Sequence, residues 1–233
     1  MKIEKKKLVE FLKKVKMEGT QGISECVLRF EKDGLKIDAN AAAKQSRVMA
    51  WLKTSAFKEY EELGNVGMNN FETVVKVFER FGDVLVLTKE GNLLTIKSDN
   101  KKVDIELVSE DFLEVDTGQP NLEFDDTFSI TAKQLKEIYA DVNMNKDATL
   151  DIVTEEKKVK FSNTGKYKFE TIIDAPTCKG NVKVKFGEPL LESTSGLTGN
   201  IEFSVKSDYP ARVMEKTDDS VITMVVAPRV EEE

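Results

Sequence analysis

The 233 residues include 40% hydrophobic and 33% charged side chains, an ordinary composition for one large domain or two of roughly 100–130 residues. There is no histidine, and 42 acidic against 35 basic residues leave a net charge of −7. The commonest neutral-pH general base and metal ligand is therefore missing. Gripping nucleic acid over the whole surface is disfavoured, whereas basic groups confined to one face remain compatible with it.

The N-terminal run MKIEKKKLVEFLKKVK has no uninterrupted apolar core, so it does not read as a secretory signal. No apolar run nears the roughly 18–20 residues of a membrane span. A soluble, intracellular protein is expected, and with it two buried free thiols at Cys26 and Cys178.

Residues 5–17 have helical periodicity: Leu8, Phe11, Leu12 and Val15 share one face, while Lys6, Glu10, Lys13 and Lys14 point away. Strands over 25–30 and 35–39 flank the turn KDG. A second helix over 70–81 presents Phe71, Val74, Val75, Phe78 and Phe81, with Lys76 and Arg80 opposite. Asn69 or Asn70 can cap it and Gly82 can end it. Strands over 84–88 and 93–98 flank KEGN.

Residues 109–126 are acidic, contain Gly118 and Pro120, and read as an extended connector between subdomains at 1–108 and 127–233. A third helix over 131–142 has Thr131 as its cap, Leu135, Ile138, Tyr139 and Val142 as its buried stripe, and Lys133 and Lys136 off it. Strands over 150–154 and 159–162 flank EEKK. A weak helical turn follows at 189–195, then strands over 201–206 and 221–226. The fold class is α+β, of antiparallel sheet with helices on one face, because helices do not alternate with single strands.

A weak repeat runs through this order. A helix precedes ECVLRFEKDGLKIDAN in one half and ATLDIVTEEKKVKFSNTG in the other, with Leu12 matching Leu135 and Ile37 matching Phe161. Such duplication predicts two similar subdomains. Chemistry-bearing motifs are sparse. Asp125-Asp126 and Asp218-Asp219 could bind a divalent ion, although such pairs are more often solvated turns. No Gly-rich phosphate loop, nucleophile elbow or CxxC pair is present. No catalytic residue, metal or cofactor is expected; a carboxylate metalloenzyme is the rival reading.

The C-terminal VITMVVAPRVEEE resembles the last strand and tail of the proliferating cell nuclear antigen (PCNA) family of DNA sliding clamps. SDYPARVMEK, KVKFSNTG, LKKV in the first helix and FEKDGLKID resemble further segments of that family, in order over nearly the whole chain. The likeness is to a divergent archaeal or viral-type member, and it implies the cytoplasm of an archaeon or infected host, or a eukaryotic nucleus. It also implies a non-enzymatic ring of three copies, with helices inside and sheets outside, closed head to tail.

The resemblance places one subunit edge at Lys102, Asp104, Ile105 and Glu106, and the facing edge at Lys168, Glu170 and Ile172. Double-stranded DNA would be met, independently of sequence, by Lys6, Lys13, Lys14, Lys76, Arg80, Lys133 and Lys136. The ring would confer processivity on DNA polymerase, receive a clamp loader and tether other replication and repair proteins through their PCNA-interacting peptides. Those peptides would dock on Asn40, Lys44, Gln119, Pro120, Leu122, Pro210, Val225, Ala227 and Pro228.

Three features depart from the family. Asn40-Ala41-Ala42-Ala43-Lys44 replaces its Met-Asp-x-x-His loop, Thr117 and Gln119 are polar, and the opening strand is very short. A monomeric or heteromeric clamp-like subunit is the alternative.

Overall fold

A computed structural model describes residues 1–114, 121–145 and 149–229. The chain divides into two units, Met1–Gly118 with Thr217–Ile222, and Gln119–Lys216 with Thr223–Glu233.

In the first unit β1 (Lys2–Glu4) and α1 (Lys5–Lys16) lead into β2 (Cys26–Glu31), β3 (Gly34–Asn40), β4 (Ser46–Lys53) and β5 (Phe57–Glu59). Then come β6 (Gly64–Met68), α2 (Phe71–Glu79), β7 (Val84–Glu90), β8 (Leu93–Ser98) and β9 (Lys101–Glu106). The strands form antiparallel sheets in the orders β5-β1-β7-β8-β9 and β4-β3-β2-β6.

The second unit holds β10 (Asp126–Thr131), α3 (Ala132–Val142), β11 (Leu150–Glu155), β12 (Lys158–Ser162), β13 (Glu170–Asp174) and β14 (Lys183–Phe186). It continues with α4 (Glu188–Thr194), β15 (Asn200–Val205), β16 (Ala211–Lys216) and the later part of β17 (Ser220–Val226). Its sheet orders are β10-β15-β16-β17 and β13-β12-β11-β14.

This topology resolves the weak repeat into four βαβββ modules, opening at β1, β6, β10 and β14, with β5 as the one addition. The strand match is well placed: Leu28 faces Ile37 across one hairpin, as Ile152 faces Phe161 across the other. The helix match is one turn out. Counted from the helix starts, Leu135 corresponds to Leu8, on the same face as Leu12.

Each helix buries one stripe, and its ends follow from local hydrogen bonding. Asn70 Oδ1 accepts from the Thr73 N–H, and Thr131 forms a reciprocal capping box with Gln134. Gly82 does not end α2; the helix stops at Glu79 because the Arg80 N–H already turns back to Val77 O, a tightened last turn. α4 forms with Pro189 in its first turn and Leu190 and Leu191 buried, and its Ser193 and Thr194 hydroxyls are satisfied within the helix by donating to Pro189 O and Leu190 O, each at 2.7 Å.

In the second unit Phe128 stacks on Phe203 at 5.3 Å and meets Phe161 edge-on at 5.9 Å. Such pairs add about 1 kcal/mol each beyond the area they bury. Cys26 and Cys178 are free and buried; burial pushes the Cys178 thiol up to about 11 and Cys26 higher still. Among the described residues, no helix is long and apolar enough to cross a membrane.

Candidate functional site

The helices position most of the basic candidates. α1 reads KKKLVEFLKKVK, and burying Leu8, Val9, Phe11, Leu12 and Val15 leaves Lys6, Lys7 and Lys13 exposed, while Lys5, Lys14 and Lys16 are half-buried. Lys6, 83% exposed, lies 4.0 Å from Glu10. Lys13 pairs with Glu79 of α2 at 2.6 Å, Lys76 with Glu72 at 2.8 Å, and Lys133 with Glu137 at 3.9 Å. The hydrogen bond from Lys76, with a contribution from nearby Lys16, holds the Glu72 carboxyl below its ordinary range. Lys14 is half-buried. Arg80 and Lys136 are exposed and have no carboxylate partner among the described residues.

Lys5, Lys7 and Lys16 of the same helix are additions to the set expected from sequence; the opening KKK run was the available signal for Lys5 and Lys7, and the closing KKVK for Lys16. Lys5 Nζ donates to Phe81 O at 2.9 Å, and Lys7 pairs with Asp219 at 2.8 Å. The hydrogen bond between them raises the Lys7 ammonium and lowers the Asp219 carboxyl from their usual ranges; Ser55 also donates to Asp219.

Both expected edge strands end their sheets: β9 closes β5-β1-β7-β8-β9 and β13 closes β13-β12-β11-β14. Register assigns their free hydrogen-bonding groups. Leu107 N–H bonds Asn92 O, in line with the β8–β9 pairing, so odd-numbered residues of β9 face β8. The outward N–H groups are those of Lys102, Asp104 and Glu106, while that of Ile105 points into its own sheet. By the same logic, Ala175 N–H on Lys157 O leaves Glu170, Ile172 and Asp174 facing outward from β13. Lys168 precedes the strand and is exposed.

The expected peptide-docking residues fall in both units. In the first unit, Asn40 ends β3 opposite Arg47. The loop after it closes through Ala41 N–H to Ser46 O and Lys44 N–H to Ala41 O, both 2.8 Å. Lys44 adopts φ 56°, and its ammonium reaches Glu114 at 2.9 Å. The loop lysine is thus tied to the start of the acidic connector.

In the second unit Leu122 and Phe124 are half-buried between exposed Asn121, Glu123 and Asp125. Phe124 meets Tyr209 edge-on at 6.2 Å, and the Arg212 guanidinium lies 5.0 Å from the Phe124 ring centre while donating to Ser204 Oγ at 3.0 Å. Pro210 follows Tyr209 and is half-buried. Val225 and Pro228 are half-buried, Ala227 is exposed, and Arg229 N–H anchors the segment to Lys185 O at 2.8 Å. Phe124, Tyr209 and Arg212 are additions to the sequence-derived set; apolar alternation within the acidic connector was the signal for Phe124, and Tyr209 and Arg212 flank Pro210 in SDYPARVMEK. Gln119 and Pro120 lie outside the described residues.

The carboxylate pairs offer little to a metal. Asp126 is buried, and its oxygens accept from the Thr154 hydroxyl and the Lys179 and Gly180 N–H groups, whereas Asp125 is exposed. Asp219 is engaged by Lys7 and Ser55. Among the described residues there is no group of three His, Cys, Asp or Glu placed to hold an ion.

No protein-family model matches the sequence, and no curated protein is similar to it. Solved structures match over its whole length. The PCNA of A. fulgidus, solved with the C-terminal region of FEN-1 bound, superposes with a TM-score of 0.85 at 16% identity, covering 100% of this chain and 98% of that one. The chain has the PCNA fold. The PCNA of Entamoeba histolytica gives 0.81 at 18% identity, with 98% of each chain covered. The PCNA2–PCNA3 complex of Sulfolobus tokodaii gives 0.78 at 17% identity, with 99% of each covered. The expected fold class, antiparallel sheet with helices, is thus the one found.

Proposed function

We propose that this protein is a DNA sliding clamp, a non-enzymatic ring of copies that encircles duplex DNA and tethers a polymerase and other replication and repair proteins to it. One observation carries the reading: the four-module chain matches PCNA along its entire length. Two further features support it. β9 and β13 each end a sheet with outward N–H and C=O groups, which head-to-tail assembly would pair. Lysines on the exposed helix faces offer a sequence-independent attraction for phosphates in a molecule that is acidic overall.

Partner proteins would bring a linear peptide to Leu122, Phe124, Tyr209, Pro210, Val225, Ala227 and Pro228 of the second unit. The FEN-1 segment bound to the A. fulgidus protein is the precedent. Pro228 fixes the local backbone and has no N–H to satisfy, so the chain beside it can stay extended to receive a peptide.

The test is topological. The protein is placed on nicked circular DNA, and its retention is measured before and after the circle is cut. A clamp stays on the circle and leaves from the new ends; equal retention on both forms would refute the reading. Light scattering on the isolated chain distinguishes three copies from a monomer that needs sister chains, an arrangement suggested by the PCNA2–PCNA3 complex.

A further inference from the structure

Two cations of the second unit stand beside its aromatic cluster with no carboxylate to answer them. β16 buries Ala211, Val213 and Glu215 and turns Arg212 and Met214 to its other face. The Arg212 guanidinium lies 5.0 Å from the Phe124 ring centre, and its hydrogen bond among the described residues runs from Nη2 to Ser204 Oγ at 3.0 Å. Its Nε is buried without a hydrogen-bond partner. Lys206 is half-buried, with its ammonium 5.4 Å from the Tyr209 ring centre. Neither cation is in an ion pair among the described residues.

In a chain with 42 acidic residues against 35 basic ones, carboxylates are not scarce. Arg47 is answered by Asp38 at 2.7 Å, and Lys185 by Asp151 at 3.8 Å. A half-buried guanidinium calls for such a partner, because a close anion offsets its desolvation. An aromatic face is a weaker substitute. The acidic residues near Arg212 in the fold are directed elsewhere. Glu123 and Asp125 are exposed and alternate with Leu122 and Phe124. Glu202, on the neighbouring strand, stands opposite Met214, whereas Arg212 stands opposite Ser204. The fold thus builds a cation onto an aromatic platform and leaves its anion to be supplied from outside.

We propose that Arg212 is a specificity-determining residue of the peptide surface: it selects partner peptides that place a carboxylate side chain beside their aromatic anchors. This inference rests on the peptide-docking reading and names the class of peptide that the surface takes. The planar guanidinium is stacked on Phe124 and held by Ser204, so its orientation is fixed before a ligand arrives, and Nη1 remains to donate to a carboxylate. Lys206 contributes a second positive charge beside Tyr209. The complementarity is local. A protein of net charge −7 repels an acidic peptide at long range, so a preference for one requires a cation at the contact itself.

Titration calorimetry on the full chain tests this with three peptides of the form Gln-x-x-aliphatic-x-x-aromatic-aromatic. They carry two glutamates, two glutamines or two lysines at the positions just before the aromatics. At about 50 mM salt the parent is expected to bind the glutamate peptide about tenfold more tightly than the glutamine peptide, and the lysine peptide most weakly. Arg212→Gln is expected to bring the ratio of glutamate to glutamine affinities to within about twofold of one. Arg212→Lys, which keeps the charge without the planar fork, is expected to keep part of the preference. Thermal unfolding of each variant is measured alongside, and Arg212→Met, a flexible apolar replacement that can still pack on Phe124, repeats the test should the glutamine variant unfold. A parent that binds the glutamate and glutamine peptides equally would overturn the inference and leave peptide docking standing. So would a neutral variant that weakens both peptides by one factor and keeps their ratio, since Arg212 would then only support Phe124. A parent that binds none of the three peptides would overturn the docking reading as well.

Discussion

Single residues in this fold are constrained most tightly where charge is buried. Asp126 opens β10 and is nearly inaccessible, yet its carboxylate satisfies the Thr154 hydroxyl and the backbone of Lys179 and Gly180, tying the 175–182 loop to the strand. Alanine at 126 would strand those donors, and bonds to a charged acceptor are the costly ones to lose. Asp126→Ala is expected to lower unfolding stability by about 3 kcal/mol in urea titrations; a loss under ~1 kcal/mol would mean that water replaces the carboxylate. Asp219 makes a contrasting, exposed pair with Lys7. Its carboxyl is lowered from an ordinary 3.8, chiefly by the Lys7 and Ser55 hydrogen bonds. The stabilisation is therefore present above that ordinary value and disappears as pH falls through the lower folded one. The raised Lys7 adds the mirror effect, present below the ordinary lysine value and lost only as pH rises through its higher folded one. Solvent screening keeps the pair under about 1 kcal/mol. Asp219→Asn is expected to lie below the parent in stability near pH 6 and to converge with it as the pH falls through the lowered folded value; a gap that persists in acid would mean the pair contributes through packing instead of charge.

At the scale of elements, the free edges of β9 and β13 decide how copies would meet. The outward N–H of Glu106 has no partner among the described residues, and its side chain is exposed, so proline there would remove the proposed intersubunit donor while sparing the β8 ladder. Proline at Ile105, the probe that strand identity alone would suggest, instead breaks a bond to Leu94 inside the sheet. Glu106→Pro is expected to shift a trimer to monomers at micromolar concentration by light scattering, with unfolding temperature preserved. Ile172→Asp on the other edge, at a side chain 53% exposed, should do the same; trimers from both variants would place the interface elsewhere. The sequence revealed α1, α2 and α3 because each repeats its apolar stripe every 3.6 residues. It did not reveal β4, whose burial of Ser46 and Arg47 blurs the alternation: Arg47 is neutralised by Asp38 at 2.7 Å. It also concealed β6, where two glycines look like a loop; Gly67 is required because a Cβ there would strike Val108 O at 2.2 Å. The candidate surfaces were legible to the same degree. Lysines off a helix stripe can be read from spacing, whereas the Lys13–Glu79 pair and the Phe124–Tyr209–Arg212 stack join distant segments that no short window contains.

For the whole molecule, a net charge of −7 sets the terms on which DNA can be held. On the clamp reading, basic helix faces in an acidic protein would give an attraction that physiological salt largely screens, since the Debye length there is only about 8 Å. Direct affinity would on that reading be a poor means of retention and closure of a ring around the duplex would be a sufficient one, because release would require an interface to open, whatever the strength of the contacts inside. The proposed peptide capture would follow a different rule, because Leu122, Phe124, Tyr209, Pro210 and Val225 belong to one unit of one chain. Breaking the ring should therefore separate the two properties. Monomeric Glu106→Pro is expected to leave nicked circles as fast as linear DNA at about 150 mM salt, where the parent remains on circles. The same monomer is expected to bind a peptide of the form Gln-x-x-aliphatic-x-x-aromatic-aromatic with a micromolar dissociation constant within about twofold of the parent's by titration calorimetry, a difference of under ~0.5 kcal/mol. The corresponding truncation test should end the chain at Val226, since Val226 is fully buried and an earlier stop would disturb β17 itself; loss of Ala227 and Pro228 is then expected to weaken the peptide about tenfold, or ~1.4 kcal/mol. A monomer that stays on circles would show that the basic residues hold DNA without closure, and one that loses the peptide would show that its binding depends on the neighbouring copy.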